Sequence, residues 1–345
     1  MKAKFVKLAM ALAVAALIAG VAGYWWLNQQ IDDFANQRLT NEQAELITIR
    51  PGQSVYALVK QWQKHQWIGE QSWLRWLLRQ QPELGAIRAG TYQLTPGQTL
   101  ANALQHLVAG QEHQFAITFV EGSRWWDWQA QIKQAEHLTG AVVVDDEAAL
   151  RQRLAIEQAS IEGWLYPDTY FYTAGTSAEE LLQRAHRRMV EVLNNAWQQR
   201  NDEAVKHLES AYQALTLASI IEKETGQHGE RALISSVFHN RLDANMRLQT
   251  DPTVIYGMGE RYDGNIRKTD LREATPYNTY VIKGLPPTPI AMAGKAAIEA
   301  ALAPETSELY YFVSRGDGSH VFSKNLAEHN ANVRRYILNK TSNKE

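Results

Sequence analysis

The sequence predicts an α+β protein: one apolar N-terminal helix, a small α+β module behind it, and a larger α+β domain. Three observations carry this reading. An uninterrupted apolar run lies at the N-terminus. Beyond it, helical spacings of three and four residues are interspersed with short strand-like runs. Five of the 10 prolines (Pro276, Pro286, Pro287, Pro289, Pro304) gather in a turn-rich stretch before a final pair of strand-like runs. A length of 345 residues gives a soft prior of about two domains.

Composition narrows the function classes. With 45% hydrophobic and 21% charged residues the chain is too apolar for a disordered protein. Lys plus Arg (35) nearly cancels Asp plus Glu (37), which argues against nucleic-acid binding through bulk positive charge. Cysteine is absent, excluding disulfides, thiolate metal sites and a cysteine nucleophile. All 11 tryptophans fall before residue 198.

Residues 1–7 carry Lys2, Lys4 and Lys7, and no acid appears before Asp32. Leu8 to Leu27 is an apolar run of 20 residues ending in Tyr24, Trp25 and Trp26. At about 1.5 Å per residue it spans the roughly 30 Å hydrocarbon core. The lysines favour a cytoplasmic tip, and the aromatic cluster fits the far interface. Small residues around Ala22 leave a cleaved signal peptide as the alternative, although its apolar region is usually shorter, about 7–15 residues. The expectation is a single-pass anchor, with the remainder outside the cytoplasm.

The polar residues 28–45 read as a stalk. Residues 46–110 read as the small module: a strand at Ile47–Ile49, a helix carrying Val55, Leu58, Val59 and Trp62, a second with Trp73, Trp76 and Leu77, a strand at Gly90–Leu94, and a helix with Leu100, Leu104 and Leu107. The larger domain is expected over 111–340. It opens with a strand at Phe115–Val120 and the trio Trp125, Trp126 and Trp128, which cannot all face inward. Helices follow at about 178–200, 211–225 and 229–242, then strands at Leu309–Ser314 and Val321–Ser323. Helical spacing assigns most tryptophans of the first set to the core, against a carbohydrate-platform alternative.

Leu215 to Gly226 holds the most informative chemistry: Glu222 and Glu224 end an almost wholly apolar helical stretch. Desolvation raises a carboxylic acid's pKa, which is how a glutamate becomes a proton donor near neutrality. Two residues apart on a helix, the pair is separated by about 200° and cannot converge on one site. Glu224, beside Gly226, is expected near solvent. On physics alone, both also fit helix-end surface glutamates.

The string Leu217-Ala218-Ser219-Ile220-Ile221-Glu222-Lys223-Glu224 resembles the signature of the endolytic murein transglycosylases, the MltG or YceG-like family. Glu162–Tyr170, Arg247–Gly257, Tyr277–Tyr280, Gly284–Pro287 and Tyr311–Val313 continue the resemblance in the family's order over essentially the whole chain. Residues 46–110 are similar, more weakly, to the family's LysM-like subdomain. One departure is Thr288, where the family usually has Gly, which puts the local turn in doubt.

The resemblance implies an endolytic lytic transglycosylase. It would cut the MurNAc–GlcNAc bond of nascent peptidoglycan strands, leave 1,6-anhydro-MurNAc ends and so terminate elongation. It implies Glu222 as the single acid/base and peptidoglycan synthases as neighbours. Gln249, Thr250, Asp251, Tyr256, Tyr277, Asn278 and Tyr280 are the expected sugar-binding residues. Turn-forming or capping roles remain open for Asp251, Tyr277, Asn278 and Tyr280, and Glu162 and Asp168 read as structural. None of the 10 histidines shows an H-E-x-x-H spacing, so no metal or other cofactor is expected. His320 stands as an isolated site candidate. The competing functions are a non-catalytic wall-binding adaptor and a hydrolysing muramidase with Asp251 or Glu224 as second carboxylate.

Overall fold

The computed structural model describes residues 2–338, so the expected domain end at 340 lies outside the described residues. It is a mixed helix and strand protein, beginning with the 35-residue helix α1 (Lys2–Asn36). This helix is long and apolar enough to cross a membrane, and its apolar window is uncovered by protein. It does not stop where the apolar run stops. Within the expected stalk, Ile31, Phe34 and Ala35 recur at helical spacing and are buried, so the helix persists to Asn36. Leu27 packs against the same core at its edge.

The chain divides between Phe115 and Ala116 into two compact units, each with its own core. After α1, the first unit contains β1 (Glu45–Ile49), α2 (Val55–Lys64), α3 (Leu74–Gln80), β2 (Gly90–Leu94) and α4 (Leu100–Ala109). β1 and β2 pair antiparallel with Ile47 opposite Tyr92, giving a β-α-α-β order followed by a helix. Ser54 and Thr99 cap α2 and α4, their hydroxyls accepting from Ala57 N (3.3 Å) and Asn102 N (3.2 Å). Gly110, at φ 71°, closes α4 in the left-handed conformation that glycine adopts without strain. Trp62 is fully buried, Trp67 and Trp73 pack at the core edge, and Trp76 stays exposed.

The second unit begins one residue into β3 (Phe115–Thr118) and continues with α5 (Trp125–Gln134), α6 (Glu147–Arg153), β4 (Thr169–Tyr172), α7 (Ala178–Gln198), α8 (Ala211–Glu224), α9 (Arg231–Asp243), α10 (Asp251–Met258), α11 (Lys295–Leu302), β5 (Tyr311–Ser314), β6 (His320–Ser323) and α12 (Leu326–Val333). Strands pair as β3–β4 and β5–β6. α8 is the hub, packing on α11 and also on α7, α9 and α10. Every residue from Ala214 to Ile221 is buried, which is why this stretch reads as apolar all round rather than two-faced. Of the tryptophan trio, Trp125 and Trp128 are buried, while Trp126 is exposed beneath the Arg124 guanidinium, 3.7 Å from its ring centre.

Candidate active site

The two glutamates at the end of α8 point into different surroundings, as their spacing requires. Glu222 has both oxygens engaged: Arg231 Nη2 donates to Oε1 (2.9 Å) and the Gly294 amide donates to Oε2 (3.0 Å). Both side chains of this ion pair are 5% exposed. Desolvation raises the Glu222 pKa, and the Gly294 amide and the Arg231 charge pull it back. Gly294 caps α11, and the Glu121 carboxylate lies so close over it that a Cβ there would require the Glu121 side chain to move. Glu222 therefore fastens α8 to the start of α11 and to α9.

Glu224 is not solvated at the helix end, contrary to the expectation. Thr250, which precedes α10, donates its hydroxyl to Glu224 Oε1. Burial pushes the Glu224 carboxyl up to about 7; the Thr250 hydrogen bond lowers it, the Asp251 charge raises it, and Arg241 lowers it. Glu224 lines a cavity of about 460 Å³ with Gln249, Asp251, Tyr280, Tyr311 and His320 among its walls. A larger hollow, about 610 Å³ between α7 and α11, offers Arg188, Lys295 and Glu299 but no carboxyl held away from water. Of these two, the smaller cavity brings a desolvated carboxyl together with other titratable side chains.

The segment 249–251 is shaped for this cavity. Gln249 adopts φ 52°, which a non-glycine residue takes up only under local constraint. The constraint comes from Thr279, fully buried, whose carbonyl accepts from Gln249 N (3.2 Å) and whose hydroxyl accepts from Thr250 N (3.0 Å). Tyr280 donates its phenol to Asp251 Oδ1 (2.6 Å), joining two cavity walls. Arg241 braces the floor, donating to the carbonyls of Tyr310 (2.6 Å) and Leu248 (2.7 Å). His320 is oriented by one carboxylate, with its backbone N–H (3.0 Å) and ring Nδ1 (2.7 Å) both on Glu230.

Among the expected sugar-binding residues, Gln249, Thr250, Asp251 and Tyr280 thus gather around Glu224. The other three make structural contacts elsewhere. Tyr256 donates to Glu162 (3.3 Å) and packs against Tyr277, ring centres 4.8 Å apart. The Tyr277 hydroxyl meets Thr288 Oγ1 at 2.9 Å. Asn278 is buried and donates to the carbonyls of Asp270 (3.0 Å) and Glu273 (2.7 Å), fixing its own loop. Thr288 keeps negative φ, so this turn does not need glycine's freedom, and its hydroxyl is used. Glu162 accepts the Trp125 amide at 3.1 and 3.2 Å, and burial pushes its carboxyl up to about 8.

Thr279, Arg241, Glu230, Tyr311 and His329 complete the site without having been singled out for it. Thr279 and Tyr311 lay in quoted strings, and nothing in the local pattern marks the others. Among the described residues no cluster of His, Asp or Glu could hold a metal ion.

The YceG-like family model matches residues 47–335. An endolytic murein transglycosylase of Bacillus subtilis (strain 168) is 34% identical over 313 residues, 85% of each chain. One of Streptococcus pneumoniae serotype 2 is 30% identical over 185 residues, 52% of this chain and 33% of that one. A crystal structure of a yceG-like protein from Listeria monocytogenes is similar with a TM-score of 0.54 at 28% identity, covering 84% of this chain and 99% of that one.

Proposed function

Because the chain belongs to the YceG-like family, we propose that it is an endolytic murein transglycosylase whose acid/base is Glu224. The observation that carries the residue assignment is the cavity: Glu224 lines it with a carboxyl held near pKa 7. Glu222, the acid/base that the resemblance implies, is desolvated too and accepts one bond on each oxygen, from Arg231 and from the Gly294 amide, so it remains the alternative acid/base. The protonated Glu224 donates to the glycosidic oxygen between MurNAc and GlcNAc, and the C1–O bond breaks as GlcNAc departs with that proton. The resulting carboxylate takes the proton of the MurNAc 6-hydroxyl as its oxygen bonds to C1. This closes the 1,6-anhydro ring and returns Glu224 to its acid form. The nucleophile belongs to the substrate, so the scheme needs neither a second carboxylate nor an activated water. In this reading Asp251 and Tyr280, linked to each other in the cavity wall, hold sugar hydroxyls, with Gln249 beside them.

One observation favours a second reading: Asp251 shares the cavity, as a hydrolysing muramidase would require. Mass spectrometry of the products decides between them. Anhydro ends are one water lighter than hydrolysed ends, and products carrying the water would overturn the transglycosylase reading.

The uncovered apolar part of α1 supports a single-pass anchor in the inner membrane with the body in the periplasm. The β-α-α-β order of the first unit supports a LysM-like module at 46–110. An anchored enzyme cutting nascent strands belongs beside peptidoglycan synthases; crosslinking in native membranes that never recovered a synthase would refute that placement.

A further inference from the structure

The geometry points to a second membrane contact. We propose that α3 lies flat on the surface of the bilayer that α1 crosses, with Arg75, Trp76 and Arg79 among anionic lipid headgroups. This rests on the reading of α1 as an anchor. Both ends of α3 touch α1 within two residues of each other. Trp73, just before α3, sets its ring edge-on to Trp26 (centroids 5.9 Å apart, 78° between planes). Gln80, the last residue of α3, donates to Asn28 Oδ1 (2.6 Å). The seven residues of α3 advance roughly 10 Å, whereas two residues of α1 advance about 3 Å. α3 therefore crosses α1 instead of running beside it, and it does so where the apolar run ends at Leu27. A helix lying across a membrane-spanning helix at that level lies along the bilayer plane.

Its residues divide accordingly. Leu74 and Leu77 are buried in the core of the first unit, while Arg75, Trp76 and Arg79 are exposed. Arg75 and Arg79 share one side of the helix at i, i+4, with Trp76 adjacent. Tryptophan settles at headgroup depth, and arginine presents a fork that matches phosphate. Two guanidinium groups held there attract an anionic surface within a Debye length. Among the described residues neither arginine has an ion-pair partner. The neighbouring acids flank the face: Glu70 and Glu83 lie beyond its ends, and Asp32 and Asp33 sit further along α1, away from the bilayer.

The chain lacks cysteine, so single spin labels report unambiguously. Full-length Leu17→Cys, Trp76→Cys and Tyr56→Cys proteins are labelled in nanodiscs of phosphatidylcholine with phosphatidylglycerol. Accessibility to oxygen and to a water-soluble nickel complex is then measured. The Leu17 label should sit in lipid, which checks the anchor separately. The Trp76 label should be several-fold less accessible to nickel than the Tyr56 label on α2. Adding Arg75→Glu and Arg79→Glu should return it towards the Tyr56 value. Equal nickel access at Trp76 and Tyr56, with Leu17 in lipid, would overturn the inference alone. So would a Trp76 label shielded only after glycan strands are added, since the face would then be a sugar platform. A Leu17 label in water would overturn the anchor and this contact together.

Discussion

Thr250 donates its hydroxyl to the Glu224 carboxylate, tying the residue before α10 to the last residue of α8. A hydrogen bond to the charged form opposes the desolvation that pushes this carboxyl up to about 7. The protonation of Glu224 is thus set by two opposed effects that can be separated experimentally.

Removing the hydroxyl with Thr250→Val leaves burial without its counterweight, so the Glu224 pKa rises further. Cleavage needs the acid form and is lost as pH rises through that pKa. The alkaline limb of kcat/KM against pH should therefore move to higher pH. An unmoved limb would separate Glu224 from the proton transfer.

The two glutamates of α8 should respond to amide substitution in different ways. Glu224→Gln keeps the fold and lowers glycan cleavage by about 100-fold or more, the contribution of a positioned acid/base. Glu222→Gln neutralises a partner of the buried Arg231 and should lower thermal stability. Thermal unfolding and a turnover assay on the folded fraction distinguish them. Full loss of turnover in well-folded Glu222→Gln would reverse the assignment.

Glu162 offers a stability test independent of turnover. Its folded pKa, about 8, lies above its ordinary value of 4.5, so the folded state holds the proton more tightly. The stabilisation is complete below about pH 4.5 and is lost as pH rises through about 8. Glu162→Gln cannot ionise and should unfold like the parent near pH 5, yet at higher temperature than the parent near pH 9. Identical Tm–pH curves would refute the buried protonated carboxyl.

Tyr280→Phe removes the phenol from Asp251 while keeping the ring in the cavity wall. A hydrogen bond to a charged group is worth about 1.5–3 kcal/mol. Glycan cleavage should fall roughly tenfold or more. Tyr277→Phe, which loses only its contact with Thr288, should cleave at nearly the parental rate.

Much of the scaffold is readable from local pattern. The helices expected at 178–200, 211–225 and 229–242 appear as Ala178–Gln198, Ala211–Glu224 and Arg231–Asp243. Their caps and apolar spacing are local properties. The surroundings of Glu224 are not. Its cover comes from Thr250, Arg241 and Tyr311, which helix-end exposure near Gly226 gives no reason to expect. The persistence of α1 was legible in part, since Ile31, Phe34 and Ala35 keep helical spacing inside a polar segment. Composition averaged over that segment hides the three residues that matter.

That same continuity decides where the chain can be cut. Detaching the protein from its membrane by deleting everything through the polar segment would also excise Ile31, Phe34 and Ala35 from the core of the first unit. For Ile31 and Phe34 alone, the lost burial is about 1.5–3 kcal/mol each, enough to unfold a module of this size. A water-soluble version must start within the few residues between Leu27 and Ile31. The anchor and the module overlap in one helix, so the seam between them is a single turn long.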